Sequence, residues 1–195
     1  MKVLSLLNTM CDLVGLSRFE MIYGNQDDNA ALLIALLQQS GEEISFRLDW
    51  PKLLRKVTVD HVPFNLPSDF HRPLLGGAVI MQDNTFARPV STAADWEIVK
   101  NHSIVPWYWI DDKVLYLSIS YPAILRYFSK NWVIDSQDKS KQTITSDDDT
   151  TVLPSYILIK DVIWRWRREQ GLSFSDQLRE FDAAISSEML LLLGG

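Results

Sequence analysis

The sequence predicts an α+β protein, a bundle of about four helices with an antiparallel β-sheet inserted into it. Three observations predict this. Apolar residues recur at helical spacing near both ends of the chain, bracketed by cap and stop residues. From Trp50 onward the pattern changes to short runs rich in β-branched and aromatic residues. No repeat or low-complexity tract breaks the 195 residues, a length that suits one domain, 1–195, carrying one insertion.

The first helix is expected over 2–14, with Gly15 as its stop. Its lysine and short apolar run invite a signal-peptide reading. Asn8, Asp12 and the lack of a small-residue cleavage site favour a helix of the folded domain instead. A second helix, 27–40, starts at the capping residues Asp27, Asp28 and Asn29. Its apolar residues, Leu33 and Leu37 among them, go nearly all the way round, so it should be buried on more than one side, by its own domain or by a copy of itself.

The β-rich insertion spans about 56–145, with strands expected at 56–62, 78–82, 106–110, 113–119, 127–134 and 142–145. Ile110 to Lys113 reads as a tight hairpin connection. Thr92 and Asp95 have the spacing of a capping box, which predicts a short helix over 93–100 on the flank of the sheet. Two polar loops stand out, 135–141 and the acidic run Asp147, Asp148 and Asp149.

The third long helix, 154–170, opens at Pro154, gathers Arg165, Arg167 and Arg168 where the C-terminal dipole favours cations, and stops at Gly171. A strand reading fails on length and on the bracketing proline and glycine. Trp164 and Trp166 are two residues apart, which places them roughly 200° apart around a helix. Both sides therefore need cover, from a neighbouring subunit or from the sheet of the same chain. A last helix, 174–190, carries the stripe Phe174, Leu178, Phe181 and Ile185, and a C-terminal tail, 186–195, follows. Within it Met189, Leu190, Leu191, Leu192 and Leu193 form an apolar run that wants a partner surface.

Composition narrows the function. A net charge of −6 disfavours nonspecific binding to DNA or anionic membrane, and no stretch approaches the length of a membrane span. Seven tryptophans are many for this size and favour large interfaces. The single cysteine, Cys11, excludes an internal disulfide framework and reads as a packing residue. His61, His71 and His102 show no metal-ligand spacing. Three consecutive aspartates at 147–149 cannot converge on one ion without help, so a solvated loop is expected there. No glycine-rich phosphate loop or nucleophile elbow is present, and neither a catalytic residue nor a cofactor or metal is expected. Arginine beside tryptophan at 164–168 suits a protein interface.

Several pieces occur in order along the chain: Asp28-Asn29-Ala30, Leu66-Pro67-Ser68-Asp69-Phe70, Arg88-Pro89-Val90, Thr92 to Trp96, Ser129 to Val133, and Ile163 to Arg168 followed by Gly171-Leu172. Together they resemble the head-to-tail adaptor (connector) family of phages, related to the tail tubular protein A of short-tailed phages. The resemblance implies a structural virion protein with no enzymatic activity, made in the bacterial host cytoplasm. It implies a homo-oligomeric, dodecameric ring, docked on the portal protein and joined to a nozzle, tail terminator or other neck component. DNA would pass through the lumen without specific binding, and no membrane is involved. In such a ring each subunit presents two different faces. Trp164, Arg165, Arg168, Leu33 and Leu37 are the candidate subunit interface, and Ile185 and Met189 to Leu193 the candidate portal contact. The rival readings are a nucleic-acid-binding protein, marked by a continuous basic face, and a metal-dependent accessory enzyme, marked by a deep pocket at 147–149.

Overall fold

Helix periodicity and turn chemistry are realised in the computed structural model, which describes residues 1–101, 104–119 and 122–194, apart from the Leu193 side chain. His102 and Gly195 lie outside the described residues. In chain order come α1 (Val3–Val14), α2 (Asp28–Arg47), a single 3-10 turn (Pro51–Leu53), β1 (Leu54–Val59), β2 (Phe64–Asn65), β3 (Phe70–Pro73) and β4 (Val79–Met81). Next are β5 (Arg88–Pro89), α3 (Ala93–Val99), β6 (Trp107–Asp111), β7 (Val114–Leu117) and β8 (Ala123–Ser129). The chain ends with β9 (Val133–Ile134), β10 (Ser140–Lys141), β11 (Thr150–Thr151), α4 (Ser155–Glu169) and α5 (Ser175–Leu193). The fold is α+β.

The single expected domain divides into two units, Met1–Leu53 with Lys130–Gly195, and Leu54–Ser129. The insertion is therefore shorter than 56–145. Its last part, β9 to β11, belongs to the first unit, where β9 lies between β10 and β11.

In the first unit α4 packs against α1, α2 and α5. This answers the question of what covers two opposed tryptophans, since other helices of the same chain bury Ile157, Leu158, Ile159, Val162, Trp164 and Trp166 around α4. α1 ends at Gly15 in the left-handed conformation, φ 78°, and Asp27 caps α2 by accepting the Asn29 N–H at 2.8 Å. α2 does not stop at 40. It continues through Gly41 to Arg47, and the missing side chain at 41 leaves room for the indole of Trp132, which is fully buried; a Cβ at 41 would sit 2.2 Å from its Cη2.

The second unit holds two sheets. β8 lies between β1 and β3, with β4 also on β8, and the other sheet runs β2-β7-β6-β5. Alternating residues such as Val59, Val79, Leu115, Leu117 and Leu125 form its core. All pairings are antiparallel except β5 with β6. Asp112 and Lys113, φ 39° and 66°, turn the β6–β7 hairpin, and both positive φ values match a type I′ connection. Thr92 caps α3 through the Asp95 N–H at 3.1 Å.

Two expected strands differ. The run 127–134 is broken at Ser129, where the second unit ends, and resumes at Val133 after Trp132 turns inward. The run 142–145 is not a strand, because side chains take the place of a ladder partner. Ile144 N–H donates to Gln38 Oε1 at 3.0 Å, and Thr145 N–H to Asp149 Oδ2 at 2.7 Å.

Candidate interaction surfaces

The acidic run at 147–149 is a fastening and not a solvated loop. Asp147 accepts the backbone N–H groups of Ile22, at 3.1 Å, and Tyr23, at 2.8 Å. Its carbonyl and that of Asp149 accept the N–H groups of Leu4 and Val3, the orphan donors at the start of α1. Asp149 is buried, receives Thr145 and Ser146 N–H, and pairs with Lys141 at 2.7 Å. Asp148 pairs on the surface with Lys2 at 2.7 Å. The three carboxylates thus serve three separate partners, and among the described residues no group of three His, Cys, Asp or Glu is placed to hold a metal ion.

The expected subunit interface is largely inside the subunit. Leu33 and Leu37 are fully buried on α2, and Trp164 and Arg165 are buried on α4. Trp164 Nε1–H donates to Asp161 Oδ1 at 2.6 Å, while Arg165 donates to Asp161 Oδ2 at 2.8 Å and to Glu43 Oε2 at 2.5 Å. Burial works against the charge on Arg165, and its bonds to Asp161 and Glu43 outweigh that and hold its pKa above the ordinary arginine value. Arg165 and Arg168 stand over the Trp164 ring at 4.6 and 5.2 Å, and Phe174 packs on it at 6.1 Å. Of this set Arg168 alone is exposed, so Trp164, Arg165, Leu33 and Leu37 are corrected to core positions. Periodicity could not show this, because it cannot say which chain supplies the cover.

The C-terminal candidates are arranged differently. The tail is not a separate segment, since α5 runs through to Leu193. Phe181 is buried and Ala184, Ile185, Glu188 and Leu192 are half-buried, one stripe at helical spacing. Met189, Leu190 and Leu191 face outward, 44%, 68% and 71% exposed. Beside them the first unit has an open groove of about 550 Å³, lined by Trp50, Pro51, Val152, Leu153, Pro154 and Leu192 among others. Tyr156 donates to Glu188 Oε2 at 2.5 Å, and that bond, ahead of burial, pushes the phenol up to about 12.

Sequence reasoning missed the aromatic stack of the second unit. Trp96 of α3 stacks on Trp109, which stacks on Tyr116, with centroids 6.0 and 5.4 Å apart. Trp96 is buried by this contact, which fastens α3 to β6 and β7. The charge is unevenly divided, with 12 Lys and Arg against 18 Asp and Glu in the first unit and seven against seven in the second. The first unit carries the whole net charge of −6.

No protein-family model matches the chain, and no curated protein matches its sequence. Among the described residues no helix is long and apolar enough to cross a membrane.

Proposed function

We propose that this chain is a structural subunit of a phage virion, a head-to-tail adaptor whose copies form a ring, probed first as a dodecamer, between the portal and the tail. The observation that carries the reading is the outward apolar end of α5. Met189, Leu190 and Leu191 lie in the open as consecutive residues on a unit of net negative charge, and a contiguous exposed apolar run marks a contact surface. The ordered series of segments running from Asp28 to Leu172 supports the same reading. So does the acidity of the first unit, which disfavours adhesion to a passing duplex.

The test is the mass of the purified protein, alone and mixed with its portal, by sedimentation and native mass spectrometry. A closed ring, free or on the portal, is the expected outcome. A monomer under both conditions overturns the reading.

A further inference from the structure

α5 is fastened unlike the other long helices. α1 buries five residues, α2 eight and α4 eight, whereas in the 19 residues of α5 Phe181 is the one buried side chain among those described. The rest of its attachment is shallow, a half-buried stripe of Leu178, Ala184, Ile185 and Leu192 flanked by polar pairs. Glu180 pairs with Lys160 at 2.9 Å, Asp182 with Arg47 at 3.8 Å, and Glu188 accepts from Tyr156. The Arg47 guanidinium also lies 5.2 Å over the Phe181 ring. Acidic groups of α5 thus meet cationic or phenolic groups of α2 and α4 at three places, a charge-complementary seat that would hold an α5 from any copy of this chain.

The connection to α4 is short and closed by three hydrogen bonds that opening would break, Gly171 N–H to the Arg168 carbonyl, Leu172 N–H to the Arg167 carbonyl and Arg167 Nε–H to the Ser173 carbonyl. Gln170, Gly171, Leu172 and Ser173 are exposed, Gly171 is left-handed at φ 67°, and α5 starts at Phe174 without a side-chain cap. A weakly buried terminal helix on a short exposed connection is the arrangement from which domain exchange proceeds, because the exchanged form repeats every contact of the closed one.

We propose that α5 is an exchangeable arm, seated in the ring on the α2–α4 surface of the neighbouring copy through Phe181, Asp182 and Glu188, with the exposed Lys160–Glu180 pair at the rim of the seat. The proposal rests on the homo-oligomeric reading above. It leaves Met189, Leu190 and Leu191 outward, free for a further partner.

The experiment uses the full chain carrying Lys160→Cys and Glu180→Cys, a surface pair whose loss costs little stability. Cys11 is fully buried, so two thiols are accessible to a short bis-maleimide. Cross-linked after assembly, the chains are expected to run as a multimer ladder on a denaturing gel. Cross-links confined to single chains would overturn the exchange. Cross-linked first as dilute monomer, the locked protein is expected to lose assembly in sedimentation, and assembly equal to that of the unlocked protein would also overturn it. A wild-type chain that stays monomeric with and without its portal is the distinct result in which the ring reading itself fails.

Discussion

Asp149 and Lys141 form a pair in which the carboxylate is 1% exposed and the ammonium, 2.7 Å away, is 22% exposed. Because the same carboxylate receives two backbone N–H groups, it holds the loop whose Asp147 and Asp149 carbonyls accept from the start of α1. Asp149→Asn removes the charge and leaves Lys141 half-buried without its partner. A loss of about 2–4 kcal/mol is expected in urea unfolding, against about 0–1 kcal/mol for Asp148→Asn at the exposed Lys2 pair. Equal effects at the two positions would return 147–149 to a solvated loop.

Gly41→Ala in an exposed helix would be mildly stabilising. Here the new Cβ meets three atoms of the Trp132 ring at 2.2 to 2.4 Å, and a loss of about 1–3 kcal/mol is expected. Trp132→Phe in the same chain should recover part of that loss, and a double-mutant cycle measures the coupling. Strict additivity would show that the two positions do not meet.

Trp164→Ala should unfold the subunit before it disturbs any assembly, since the ring is buried by Phe174 and two arginines and its N–H goes to Asp161. About 3–5 kcal/mol is expected from the cavity alone. Arg168→Ala, at an exposed position, should change stability by less than about 1 kcal/mol. Circular dichroism melts of the two variants decide the matter.

Tyr156 has a phenol pKa raised from 10.0 to about 12 by its bond to Glu188. A raised pKa in the folded state means the neutral phenol is favoured there. Its stabilising contribution is complete below pH 10 and is lost as pH rises toward 12. Wild type and Tyr156→Phe should therefore converge in stability across that window, and parallel curves would show that the bond to Glu188 is absent in solution.

Leu190→Gln with Leu191→Gln should leave the melting curve nearly unchanged, because both side chains are open to solvent and glutamine is neutral and a good helix former. Retention on DNA-filled heads in co-sedimentation should fall, since each leucine buried at a contact contributes roughly 1.5–3 kcal/mol. Retention equal to wild type would remove the end of α5 as the docking surface.

Local chemistry was legible in the amino-acid sequence wherever neighbouring residues settle the outcome. Gly15 and Gly171 end helices because their left-handed φ needs no Cβ clearance, Asp27 and Thr92 start them by capping nearby N–H groups, and the β6–β7 hairpin forms one residue later than 110–113 predicts, at 111–114. The outward leucines of α5 were legible too, since four in succession cannot share one face. Tertiary structure alone decided matters that depend on partners far along the chain. Gly41 sits mid-helix because Trp132 arrives there, Gln38 replaces a strand partner for Ile144, and Asp147 reaches back to Ile22. Trp164 looked like an interface residue because periodicity reports which way a side chain points. What covers it is set by the packing of α1, α2 and α5 around α4, which no local pattern encodes.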